Sequence, residues 1–187
     1  MATSILVPIG VVTASIIAGL FSFISLVLSK EQKVSEFRQQ WIDSLREEVA
    51  IFIGNIVTIA DISKRMRRAQ EQGVESEFSR SDLKDFQVAA SEAYTRINLR
   101  LNPDDDKSEV IDLIQALEQV RKFTKQAEWE KVNDKIDDVR SNSQALLKLE
   151  WERVKKGEPA FRRAKGVAAL LVISALALGG LFLFGTQ

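Results

Sequence analysis

Carboxylates supply most of the reactive chemistry this chain offers. Among its 187 residues are 26 acidic and 26 basic side chains, with no His and no Cys. Lack of Cys removes disulfides, thiolate zinc sites and thiol nucleophiles; lack of His removes imidazole bases and most metal constellations. Three acidic groupings remain. Glu47-Glu48 and Asp137-Asp138 are adjacent pairs that read as solvated helix faces. Asp104, Asp105 and Asp106 follow Asn102-Pro103, where a helix should begin. Carboxylates facing that positive helix terminus are stabilising by about 0.3–1 kcal/mol each. A divalent cation would need more oxygen ligands at fixed spacing, and no glycine turn or later Glu follows at EF-hand distance. A Ser–Lys dyad lacks a glycine elbow, and neither a Walker A pattern nor GxGxxG occurs. A glycosidase pair would need a cleft that a narrow helical bundle rarely supplies. No enzyme activity, metal or cofactor is expected.

Lys64, Arg65, Arg67 and Arg68 form the best candidate contact for a polyanion. On a helix these four wrap around the axis instead of lining one face, and no aromatic is interleaved for base stacking. The plain reading is the solvated, charge-rich end of a helix. A protein contact is the alternative, and nucleic acid is not an expected partner.

The elements that must position these residues follow from where the charges are. Every one of them lies between Lys30 and Lys165; residues 2–29 and 166–187 have none. Ile5 to Leu28 and Val167 to Phe184 are each long enough to cross a bilayer, which takes about 20 apolar residues. A cleaved signal peptide is the alternative for the first, but no basic side chain precedes Lys30 and the apolar run is too long. Lys30 and Lys33 follow the first span, and Lys155, Lys156, Arg162, Arg163 and Lys165 precede the second. The positive-inside rule then places the middle in the cytoplasm and both termini outside. The five residues from Lys155 to Lys165 are candidate contacts for anionic lipid.

Gly10, Ala14, Ala18, Ser22 and Ser25 share one face of the first span. Small residues at this spacing let helices approach closely. The face could pack the spans on each other, pack copies of the chain together, or line a pore with hydroxyls. Ala175 and Gly179 give a weaker version in the second span.

Helical periodicity fills the middle. Val34, Phe37, Trp41, Leu45, Val49, Phe52, Ile56 and Ile59 form one stripe, so the first span should continue as one long helix to about Gln72, with a bend near Gly54-Asn55 and Gly73 as C-cap. The uncharged run 49–60 reads as a buried helix. A second helix should start at Ser79 or Ser81, with Asp82 at capping-box spacing, and end at Asn102-Pro103. Val110, Ile114, Leu117 and Val120 mark a third; Thr124–Glu128 leaves a turn or a continuous helix open. Trp129, Val132, Ile136, Val139, Leu146, Leu147 and Val154 mark a fourth, stopped by Gly157 and Pro159. Four alternating helices return the chain to the membrane face it left. The fold class is therefore all-α: a transmembrane helix over 1–29 continuous with a long helix, a cytosolic antiparallel bundle over 30–158, and a second transmembrane helix over 159–187.

Two stretches carry a resemblance: KVSEFRQQWIDSLREEVAIFI at 33–53 and RLNPDDDKSEVIDLI at 100–114. They resemble uncharacterised small bacterial two-span membrane proteins with a phrase like FRQxWIxxLRE and an LNP-acidic motif. The resemblance implies a bacterial or phage origin and no established activity. More distantly the chain is similar to membrane-anchored accessory proteins of RNA-targeting CRISPR systems, which are helical, oligomeric and linked to membrane disruption. An Arg-x(4–6)-His nuclease motif has been proposed for some of them; here Arg100 is followed by LNPDDDKS and no His exists, so only the pore or scaffold implication transfers. Within the first phrase, Arg38, Trp41, Asp43 and Arg46 sit just inside the membrane and form the candidate partner surface. The expectation is a non-catalytic inner-membrane protein in contact with membrane lipids. It would act by homo-oligomerisation or by docking a cytosolic protein partner. A pore-forming or membrane-perturbing effector, in antiphage defence, is the alternative.

Overall fold

In the computed structural model the described backbone covers residues 2–157 and 159–184, with side chains described for 11, 14–157 and 161–174. It is all-α: α1 (Ala2–Gln72), a 3-10 turn (Arg80–Leu83), α2 (Lys84–Arg100), α3 (Ser108–Lys125), α4 (Trp129–Lys156) and α5 (Pro159–Phe184). No strand occurs among the described residues. Two compact units divide the chain: Met1–Arg38 with Arg153–Gln187, and Gln39–Glu152.

In the 39–152 unit, one continuous core draws on all four helices. Leu45, Phe52, Ile56 and Ile59 of α1 meet Ala93 and Ile97 of α2, Leu113, Leu117 and Val120 of α3, and Val132, Val139 and Leu146 of α4. Polar contacts give the order of the helices. Trp41 Nε1 donates to the Arg100 carbonyl at 3.3 Å and the Phe52 ring lies 6.3 Å from that of Tyr94, so α1 and α2 run in opposite senses. Asn142 Nδ2 donates to the Asp112 carbonyl at 3.0 Å, and Lys107 Nζ to Glu150 at 3.4 Å, which opposes α3 to α4. Within run 49–60, Val49, Phe52, Ile56, Ile59 and Ala60 lie in this core while Ile51 and Val57 are exposed, and α1 stays helical through Gly54-Asn55.

Two helix ends show what the sequence left open. At Gly73, φ is +67°; Val74 N–H reaches the Ala69 carbonyl at 3.0 Å and Gly73 N–H that of Gln70 at 3.2 Å, a Schellman stop. The same pattern closes α3: Ala127 sits at φ +54°, with Glu128 N–H on the Phe123 carbonyl at 3.0 Å. The chain therefore turns at 126–128 instead of continuing, with alanine in the left-handed region that glycine prefers. The Ser79 N–H donates to Asp82 Oδ2 at 2.8 Å, so the capping spacing closes the 3-10 turn that leads into α2.

Three expectations for this region change. Phe37, expected on the buried stripe, is 71% exposed. One residue step turns a helix by about 100°, so Phe37 points away from the half-buried Arg38 beside it. Glu48, expected in solvent with Glu47, is buried. Asp104–Asp106 precede α3 instead of occupying its first turn, because Lys107 is its N-cap.

In the other unit, α1 meets α5. Leu20, Ile24, Val27, Glu31 and Val34 of α1 are half-buried, and Ala168 of α5 is buried between Ala164 and Val172, both half-buried. Gly157, at φ +70°, lies so close to α1 that a Cβ there would sit 2.9 Å from Glu31 Oε1, so both its backbone conformation and its neighbour demand glycine.

Candidate functional site

The 39–152 unit holds a groove of about 460 Å³ formed by α1, α2 and α3. Its floor is apolar: Phe52, Ile56 and Ile59 from α1 and Ala90 from α2. Gln87, Ser91, Tyr94, Arg121, Thr124 and Lys125 form the rim. Helical spacing explains the rim on α3, since Arg121, Thr124 and Lys125 fall within one turn of each other.

Tyr94 is the organising residue. Its hydroxyl donates to Glu118 Oε1 and accepts from Arg121 Nη1 at 3.3 Å. The Arg121 guanidinium also lies 4.8 Å from the Tyr94 ring centre, in cation–π range. Burial raises the phenol above its ordinary 10.0, and the bond to Glu118 raises it further, against an opposing pull from Arg121. The phenol is thus held neutral as a donor. The groove sets an apolar floor beside two cations, Arg121 and Lys125.

A second polar feature ties helices together. Arg100 Nε donates to Glu48 Oε2 at 2.7 Å, and that bond raises the guanidinium pKa above its ordinary value. Lys107 Nζ bridges Asp105 at 2.9 Å and the buried Glu150 at 3.4 Å. Both arrangements satisfy buried carboxylates, and such pairs fix which helices meet more than they add stability. Arg100, the head of the LNP-acidic phrase, is thereby occupied structurally.

The expected partner surface divides. Trp41 is half-buried and committed to the Arg100 carbonyl. Asp43 and Arg46 pair with each other at 2.6 Å, both exposed, and line a groove of about 440 Å³ with Gln39, Ile42, Leu147, Lys148 and Trp151. Arg38 is half-buried and belongs to the other unit. In the basic cluster, Arg65 pairs with Asp61 at 2.9 Å and Arg67 with Glu71 at 3.4 Å, each one turn away on the same exposed helix face. That is the pattern of a solvated charged helix.

The small-residue face of α1 is exposed at Ala14, Ala18, Ser22 and Ser25. It points about 150° from the Leu20, Ile24 and Val27 line that meets α5. Packing of α1 on α5 therefore does not use it, and Ser22 Oγ donates back to the Ala18 carbonyl at 3.0 Å. Gly10, Ala175 and Gly179 lie on helical backbone, with their surroundings outside the described residues. Lys155, Lys156, Arg162, Arg163 and Lys165 are all exposed, as a lipid-facing set would have to be. Among the described residues, no group of three or more Asp or Glu is disposed to hold a metal ion.

Tyr94, Glu118 and Arg121 were not legible as a group in the sequence. Glu118 and Arg121 are three apart on α3, but Tyr94 precedes them by 24 and 27 positions, and no local spacing brings it to them. One described helix, within α1 near the N-terminus, is long and apolar enough to cross a membrane. No protein-family model matches the chain, and no curated protein or solved structure does.

Proposed function

We propose that this is a non-catalytic protein anchored in a bacterial inner membrane, acting through self-association or by docking a cytosolic partner. The supporting observation is the apolar stretch of α1: it is helical, residues 2–29 are uncharged, and none of its described residues is fully buried, although Leu20, Ile24 and Val27 are half-buried against α5. Hydrocarbon is the environment that satisfies such a helix. α5 would be the second span, and the basic residues beside both spans favour a cytoplasmic middle domain with both termini outside. The middle would then be an antiparallel helical bundle. Its docking surface is the groove at Phe52, Ile56 and Ile59, whose Arg121 and Lys125 suit a partner presenting apolar and acidic side chains together.

A second reading, an oligomeric pore or membrane-perturbing effector, draws on the exposure of Ala14, Ala18, Ser22 and Ser25 away from α5. The mass of the intact protein in detergent, by light scattering corrected for bound detergent, separates the two. Four or more copies, lost when Gly10, Ala14 and Ala18 become Leu, would move the pore reading forward. A monomer would leave the anchored bundle and remove this face as an assembly surface. An oligomer indifferent to these changes would place self-association in the bundle.

A further inference from the structure

Between α1 and α5 runs a slot of about 430 Å³, lined by Phe23, Val27 and Leu28 on one side and Phe161, Ala169 and Ile173 on the other. Lys165 shares the lining, although the wall is almost wholly apolar. Its contribution is therefore the methylene stem, while the side chain as a whole is exposed and the ammonium reaches solvent. From Lys165 to Ile173, α5 rises about 12 Å, most of the ~15 Å of hydrocarbon in one leaflet. The Lys165 end is also the basic end. Arg162 and Arg163 lie within one turn, and Lys30 follows Leu28 by two positions on α1.

We propose that this slot is a binding site for one anionic phospholipid, with an acyl chain along the α1–α5 groove and the headgroup phosphate against Lys165. This inference rests on the membrane reading above and adds a discrete site to it. A bare basic flank attracts any anionic headgroup diffusely; a slot with a cation at its mouth selects one molecule by chain and headgroup together. Small side chains make the room: Ala164 and Ala168 bring α5 close to α1, and Ala169 leaves the space beside them open.

The test is native mass spectrometry of the full chain in detergent, counting lipids retained per protomer with equal palmitoyl-oleoyl phosphatidylglycerol or phosphatidylcholine added. Retention of one phosphatidylglycerol in preference is the expected result. Lys165→Gln should cut that preference about fivefold, the worth of one basic residue near a membrane surface, without changing phosphatidylcholine retention. Ala169→Trp fills the slot and should lower retention of both lipids. Equal retention of the two lipids by the unaltered chain overturns the proposal. So does a preference that survives both substitutions, which would mark diffuse attraction to the flank, and so does a second copy of the chain found in place of lipid. Lys165→Gln, at an exposed position, decides the matter if Ala169→Trp fails to fold. Alkaline carbonate extraction of membranes separates the two levels. Release of the chain sinks the membrane reading, whereas a retained chain without lipid preference sinks the slot alone.

Discussion

α1 holds two apolar stretches of similar length and opposite fate. In the first, Phe21 is 65% and Leu26 69% exposed; in the second, Leu45 and Phe52 are almost wholly buried. The difference lies in what surrounds the apolar residues. Residues 2–29 are uncharged on every side of the helix, so one neighbouring helix can cover only part of them. Between Ile42 and Ile62, Asp43, Arg46, Glu47 and Asp61 flank the uncharged run 49–60, and the side chains that α2, α3 and α4 cover fall on one stripe. Total hydrophobicity is already higher in the first stretch, which carries no charge. Its distribution around the helix separates a segment that needs hydrocarbon from one that needs a core.

The sharpest way to break this comparison is to make the same change in both stretches. Leu45→Ala should cost about 2–5 kcal/mol of stability and lower the thermal midpoint clearly, because the side chain is fully enclosed. Leu26→Ala should leave that midpoint unchanged. A comparable midpoint loss from Leu26→Ala would mean the first stretch is covered by protein after all. The reciprocal change is Ile16→Asp, at the middle of the proposed span, which on the membrane reading costs about 2.5–3.5 kcal/mol of insertion and lowers the share of chain that crosses through α1, read as protease access to an N-terminal tag. It should do so without loosening the 39–152 core, as followed by near-ultraviolet circular dichroism.

A smaller effect sharpens the second half. Glu48→Ala strips Arg100 of its buried acceptor, and with Arg100 still reached by water the loss should be about 1–2 kcal/mol in a denaturant titration. Glu47→Ala, one residue away and exposed, should change nothing measurable. Equal effects of the two would show that burial does not distinguish them.

The smallest expected effect is on pH dependence. Tyr94 is the sole tyrosine, so tyrosinate absorbance reports it alone. Folded, its midpoint should lie above 10.0; in denaturant it should fall to that value. The sign follows from linkage. Because the folded phenol holds its proton longer, this contribution to stability is complete below pH 10.0 and is lost as pH rises through the folded midpoint. Tyr94→Phe should abolish that part of the alkaline slope. A folded midpoint at or below 10.0 would mean the contacts with Glu118 and Phe52 are not maintained in solution.

Much of the architecture was legible because helix signals are local. Gly73, Asn102-Pro103, Gly157 and Pro159 stop or start helices through φ restrictions that act within one or two residues. Charge placement, which marks the uncharged ends, is equally a property of the chain alone. The candidate groove was not legible, since its floor and rim come from three helices.

By itself, then, the sequence determined the all-α class, most helix ends to within about a turn, and the division into uncharged ends and a charged middle, but not the break at 126–128. Tertiary structure decided which side of each helix is covered. Periodicity marks an apolar stripe but not its exact azimuth, and so Phe37 faces outward while Glu48 faces inward. Glu48 is buried because Arg100, 52 positions away, arrives beside it. The small-residue face of α1 is exposed because α5 settles on Leu20, Ile24 and Val27. Partners of that kind are chosen by packing between distant segments, and no window of neighbouring residues contains them.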